Sequence, residues 1–175
     1  MHDDELLDLV NKEDEIIGTI WRNDTSDNRL ANEKLGYIRA VELFIVNSKG
    51  ELWIPKRTAH KRIAPNGLDF SAAGHVSSGE TYIEAMIKEA REELSLDLSE
   101  EDLKFVAKIG PDENCYIREQ YVYRTNKTPT FNRDDFVSAA WLQPEELLKQ
   151  LDSGIPAKSS LRFAVAITRD WLAAN

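Results

Sequence analysis

Hydrophobic positions along this chain change period several times, and each period names an element. Leu6 to Val10 and Glu15 to Trp21 are short apolar-rich runs separated by the turn-like cluster Asn11-Lys12-Glu13-Asp14, which predicts a β-hairpin. The stretch 22–34 is polar and rich in Asn and Asp, and reads as a loop or a weak helix. Arg39 to Val46 alternates and is β-branched. The turn Asn47-Ser48-Lys49-Gly50 follows, and Leu52 to Lys56 returns, the strongest hairpin signal in the chain. Thr58 to Gly67 is a basic loop ending in Pro-Asn-Gly, and Leu68 to Ala73 a short strand that leads to Gly74.

From Glu80 or Thr81 to Leu94 the period becomes helical, with Ile83, Ile87, Ala90 and Leu94 as the expected apolar face. Strands are predicted at Leu103 to Ile109, Tyr116 to Arg124 and Val137 to Leu142. A helix then starts at Gln143-Pro144, with proline in its first turn. Lys158 to Ala174 reads as a last helix with Leu161, Val165, Ile167, Trp171 and Leu172 inward. Strands and helices mix without regular βαβ alternation, so the fold class is α+β, or α/β/α in layers. One domain is expected over the 175 residues, a hairpin extension at 1–36 followed by a core at 37–175.

Charge and cysteine content narrow the function classes. The net charge of −9 argues against a nucleic-acid polymer as partner. A single cysteine, Cys115, rules out an internal disulfide and fits a reducing compartment. No stretch approaches the ~20 apolar residues a membrane-spanning helix needs. The acidic start lacks the basic and apolar regions of a signal peptide, so a cytoplasmic location is expected.

The segment from Gly74 to Leu96 carries the chemistry. A glycine turn and a small polar loop, Ser77-Ser78-Gly79, lead to Glu80 near the helix start. Glu89, Glu92 and Glu93 stand at i, i+3 and i+4, so their carboxylates project from one side of one helix, where like charges repel. A divalent cation is the simplest agent to offset that repulsion. Hard carboxylate oxygens are what Mg²⁺ takes, sharing its shell with water and substrate phosphates. Such a site suits metal-assisted attack of water on a phosphoanhydride. A surface helix with glutamates opposite an apolar face explains the helix alone better than a metal site does; the glycine loop ahead of it at this spacing reverses that preference.

This segment resembles the Nudix box, G-x5-E-x7-R-E-U-x-E-E-x-G-U, where U is a bulky aliphatic residue. Gly74, Glu80, Glu89, Ala90, Glu92, Glu93 and Leu96 fill its positions; Lys88 replaces the arginine and Ser95 the second glycine. The resemblance implies a mixed sheet sandwiched between helices and a magnesium- or manganese-dependent hydrolase of a small-molecule diphosphate, most often a nucleoside diphosphate or a derivative. It implies Glu92 and Glu93 as principal metal ligands and Glu89 as a residue that binds metal or orients water. The Ala73 carbonyl joins the shell, while Gly74, Glu80 and Lys88 support the loop. Lys88 keeps the charge of the arginine without its planar fork. Ser95, without glycine's freedom, implies a slightly different helix exit. A homodimer is an analogy with relatives.

Beyond the box, LLDLVNKEDEIIGTIWR, LWIPKR, PNGLDFSAAGHV and FNRDDFVSAAWLQPEELL resemble the branch related to isopentenyl diphosphate isomerase. Isomerases of that branch carry a proton-transferring cysteine where this chain has Ala73, which favours hydrolysis. An isomerase-like enzyme and a nucleotide-binding sensor without turnover stay as alternatives. Lys56, Arg57, Lys61 and Arg62 form a basic cluster suited to phosphate oxygens, and His75 is placed to join them. Asp135, next to Asp134, and Glu119 are candidates for an extra acid. Phe44, Trp53, Phe70, Tyr121 and Trp141 are candidates for stacking on a base, with the core as their competing role.

Overall fold

The computed structural model describes residues 4–25 and 29–175. The hairpin pairs β1 (Leu6–Val10) with β2 (Ile16–Trp21), antiparallel, with Leu7 opposite Ile20. A 3-10 turn, Arg22–Thr25, and the one-turn α1 (Arg29–Asn32) follow. The expected loop or weak helix is therefore largely turn-like, and its part at 26–28 lies outside the described residues. The main sheet contains β3 (Ile38–Val46), β4 (Leu52–Arg57), β5 (Ala72–His75), β6 (Leu103–Ile109), β7 (Tyr116–Arg124) and β8 (Phe136–Leu142). Its order is β6-β7-β3-β4-β8, with β5 paired to β3. β3 and β7 run parallel through nine matched residues and the other pairs are antiparallel, giving the mixed sheet expected.

β3 is buried almost throughout, as befits a central strand covered on both faces. Its odd positions, Val41, Leu43 and Ile45, pack with Trp53, Met86 and Leu94 under α2 (Tyr82–Leu94). Phe44 and Val46 face the other way, toward α3 (Pro144–Asp152) and α4 (Leu161–Ala174), with Leu147, Leu161 and Val165. The period-2 alternation of one strand thus builds two separate cores. A third cluster, Leu7, Ile20, Leu30, Ile38 and Cys115, fastens the hairpin to the sheet and accounts for the lone thiol as a packed side chain.

Three element readings shift. The strand expected over 68–73 forms at 72–75, because β3 parts from β4 after a single matched pair, Val46 with Leu52, and β5 takes over its edge from Ala40 to Leu43. The Ser71 hydroxyl spans that parting, donating to Trp53 O (2.7 Å) and accepting from Ile45 N (2.9 Å). The inward side of α2 is centred on Ala85, Met86, Ala90 and Leu94, with Ile83 and Ile87 at its margin. The last helix begins at Leu161 rather than Lys158, and its buried positions are Leu161, Ala164, Val165 and Thr168. Thr168 is buried because Gln120 on β7 hydrogen-bonds it and also donates to Ala164 O (2.9 Å). Among the described residues no helix is long and apolar enough to cross a membrane.

Candidate active site

The box glycine and the helix after it are fixed by local chemistry. Thr81 caps α2: its hydroxyl accepts from Glu84 N (3.3 Å) and Glu84 returns the bond to Thr81 N (2.9 Å). Glu80 therefore sits just outside the helix. It accepts from Ser77 N (3.0 Å) and from Lys88 Nζ (2.8 Å), bonds that tie the loop to the helix. Lys88 also reaches Ser77 Oγ (3.0 Å) and lies 3.6 Å from Glu5. Its point charge ties loop, helix and hairpin together. Asp8 completes that tie, accepting from Ser78 Oγ (2.6 Å) and Gly79 N (3.3 Å).

At about 100° per residue, Glu93 lies within about 20° of Met86 around the helix. Two of the three glutamates therefore share the sheet-facing side of α2, instead of lying opposite its apolar face. Glu93 Oε2 accepts from Ala73 N at 3.1 Å. The Glu89 carboxylate fills the space over Gly74: a Cβ there would lie 2.1 Å from Glu89 Cδ and 2.2 Å from Oε1. Gly74 has no positive φ, so the glycine is required by this approach and not by backbone strain. Glu92 is exposed.

Burial raises the Glu93 pKa to about 8, and the neighbouring Glu89 charge adds to it. Burial likewise raises Glu89 to about 7; Lys88 opposes this and Glu92 adds to it. Two acids held at neutral pH against the backbone of β5 are a pair that a hard cation would ionise, and their oxygens fit that cation's preference. Among the described residues no group of three His, Cys, Asp or Glu side chains is drawn close enough to enclose a metal ion. The pair that converges is Glu89 and Glu93, with Glu92 turned about 100° from Glu93 around the helix, toward the surface.

Ser95 ends α2 with φ 54° and ψ 35°, the left-handed conformation for which glycine is usual. The expected difference in helix exit is absent: serine adopts the glycine's geometry, and Leu96 N still bonds back to Ala90 O (3.2 Å).

A cavity of about 260 Å³ opens beside Ala73, Gly74 and Glu93. Arg22, Arg57, Lys61, Arg118 and Lys158 line it, so an acidic protein presents one basic recess. Strand alternation separates two residues expected together: Arg57 turns into the cavity, bonding Asp69 and Ile63 O (2.8 Å), whereas Lys56 is exposed on the other side of β4. His75 lines the cavity with Nε2 3.3 Å from the Tyr116 hydroxyl, and burial lowers its pKa to about 3, so it is neutral. Phe70 is the one stacking candidate on the cavity wall; Phe44, Trp53, Tyr121 and Trp141 belong to the cores or their margins.

Asp135 and Glu119 stand outside the cavity lining. Asp135 is bound by Lys61, and Glu119 accepts from the Tyr121 hydroxyl (2.5 Å). Arg62 lines a second cavity that shares Ile63, Tyr116, Arg118 and Ser159 with the first. Sequence reasoning missed Arg22, Glu42, Arg118, Lys158 and Ser160 among the residues lining the main cavity. Glu42 carried a usable signal, a single charge inside the apolar run Val41 to Val46. Burial raises its pKa to about 7, with the Arg118 guanidinium opposing.

The NUDIX domain family model matches residues 36–163. An uncharacterised Nudix hydrolase of Nostoc sp. is 42% identical over 163 residues, covering 92% of this chain and 94% of its own. A Nudix hydrolase of Deinococcus radiodurans is 42% identical over 160 residues, 90% of each protein. A crystal structure of a D. radiodurans protein superimposes with a TM-score of 0.81 at 40% identity, covering 93% of this chain and 98% of that one.

Proposed function

The chain belongs to the Nudix hydrolase family, and from that premise we propose that it hydrolyses the diphosphate linkage of a small molecule, a nucleoside diphosphate or derivative, with Mg²⁺ or Mn²⁺ as cofactor. The observation that carries this reading is the convergence of Glu89 and Glu93 on the Ala73–Gly74 backbone at the mouth of a basic cavity. Glu89, Glu92 and Glu93, with the Ala73 carbonyl, would hold the metal. Bound there, a divalent cation would polarise a phosphoryl oxygen and acidify water. Glu89 or Glu93 takes the proton that the attacking water loses as its oxygen bonds to phosphorus and the anhydride P–O bond breaks. Arg57, Lys61 and Lys158 offset the charge of the phosphate oxygens not facing the glutamates, and neutral His75 offers a hydrogen bond without a charge.

Hydrolysis is favoured over isomerisation because Ala73 places a methyl group where a proton-transferring side chain would be required. Cys115, the single thiol, lies in the cluster under the hairpin. A screen of nucleoside and isoprenoid diphosphates with added magnesium or manganese, resolving every product, tests the proposal. Phosphate-bearing products should appear only with metal. Glu92→Gln and Glu93→Gln should each lower turnover by about a hundredfold or more, the scale of a lost acid–base or metal-positioning contact. Full turnover in both variants would sink the site assignment; binding without any cleavage would leave a sensor.

A further inference from the structure

The proposed chemistry leaves a buried acid of the cavity lining unused. Glu42 is 3% exposed in the middle of β3. Its Oε1 lies 3.2 Å from Arg118 Nε and 3.4 Å from Ser160 Oγ. Its Oε2 is buried and has no hydrogen-bond partner among the described residues. A buried acceptor without a donor is unfavourable and rare, so the position of this one asks for a ligand. Glu42 and Arg118 sit on the adjacent parallel strands β3 and β7, and both line the cavity that reaches Gly74 and Glu93.

Arg118 gives Nε to the Glu42 side and a terminal nitrogen to Asp112, and its fork retains further N–H groups. One wall of the cavity thus carries a carboxylate with an unpaired oxygen beside a guanidinium donor. That edge is complementary to an N–H next to a hydrogen-bond acceptor, the pattern of an amino-bearing nitrogen heterocycle. A hydrocarbon chain would leave both groups unmatched. Phe70, on the same lining, offers an apolar ring face.

We propose that Glu42 determines substrate choice: its Oε2 accepts a hydrogen bond from an N–H on the organic group of the substrate, and Arg118 donates to the acceptor beside it. This rests on the reading of the cavity as the site of a diphosphate substrate. The diphosphate then extends toward Gly74 and Glu93, and the heterocycle toward β3 and β7.

Calorimetric binding to the full chain tests the assignment without requiring turnover. The probes are the α,β-methylene analogues of adenosine and cytidine diphosphate, and matched compounds whose bases carry hydrogen in place of the exocyclic amino group. The wild-type protein should bind at least one amino-bearing member tighter than its match by about tenfold to a hundredfold, the range for a hydrogen bond to a charged group. In Glu42→Gln that ratio should fall toward one, because an amide that keeps its oxygen on Arg118 turns its NH₂ into the cavity. A ratio near one in the wild type, no binding of either nucleotide analogue, or equal weakening of both members in Glu42→Gln would each overturn the proposal. Should Glu42→Gln fail to fold, the wild-type ratios and Glu42→Asp, which withdraws the carboxylate by one methylene, decide it. A ratio that persists while the hydrolysable parent diphosphates show no metal-dependent phosphate release would refute the hydrolase reading alone; cleavage of hydrolysable diphosphates that treats amino-bearing and amino-lacking bases alike would refute the role of Glu42 alone.

Discussion

Gly74→Ala should damage the reaction while sparing the fold. A Cβ at this position would lie 2.1, 2.2 and 2.5 Å from Cδ, Oε1 and Oε2 of Glu89. Non-bonded carbon contacts settle at about 3.5–4.0 Å, so the carboxylate has to retreat by roughly 1.4 Å. Alanine meets no backbone strain here, because the φ of Gly74 is not positive. The clashing atoms are the free end of a flexible side chain, so the stability change should stay within about 1 kcal/mol, partly balanced by the reduced freedom of the unfolded chain. A displacement of about 1 Å in a catalytic constellation can lower the rate by about a hundredfold. Metal-dependent phosphate release should therefore show kcat falling by about 10–100-fold with little change in thermal midpoint. A double-mutant cycle isolates the cause: in a Glu89→Ala background the same glycine substitution should have almost no further effect. Full turnover in Gly74→Ala, or an equal loss in both backgrounds, would refute the argument that this glycine exists to seat Glu89.

Two further outcomes follow from the same region. The raised pKa values of Glu93, about 8, and Glu89, about 7, mean that the folded chain holds protons the unfolded chain has released. Their contribution to stability is complete below the ordinary carboxylate value and is lost as pH rises through the folded values, on the order of a few kcal/mol for the coupled pair. Thermal melts in chelator should therefore fall between about pH 5 and pH 8 by more in the wild type than in Glu93→Gln, and added magnesium should reverse the fall; a wild-type slope equal to the variant's would contradict it. Ser95→Gly, at a left-handed helix end, should raise stability by about 0.5–1 kcal/mol in denaturant titration without altering turnover, since glycine enters that conformation freely.

Much of the fold was legible because its elements are locally encoded. β6 and β7 follow their hydrophobic runs from end to end, and α2 starts at a threonine–glutamate capping box. β5 was misplaced because its pairing depends on β3 leaving β4, a tertiary event with no local pattern. The site was legible as a motif and illegible as a cavity. Spacing put three glutamates on one helix, but only packing decides that Glu93 and Glu89 turn to the sheet and Glu92 to solvent. Lys56 and Arg57 are adjacent in sequence and opposite in space for the same period-2 reason that splits the two cores. Glu42, Arg118, Ser160 and Lys158 meet from β3, β7 and the approach to α4, a convergence no window of sequence contains.

The hairpin β1–β2 carries the folded unit past the stretch that the family model matches. The family match begins at residue 36, yet Glu5 accepts from the Ser77 hydroxyl (2.5 Å) and Asp8 from that of Ser78, across about seventy residues of sequence. A chain trimmed at the start of that match would keep every residue of the motif and lose the carboxylates that hold two of its loop serines. Modularity by sequence and integrity by structure part company here: the segment outside the shared domain works as an outer brace for the loop that presents Gly74 to Glu89.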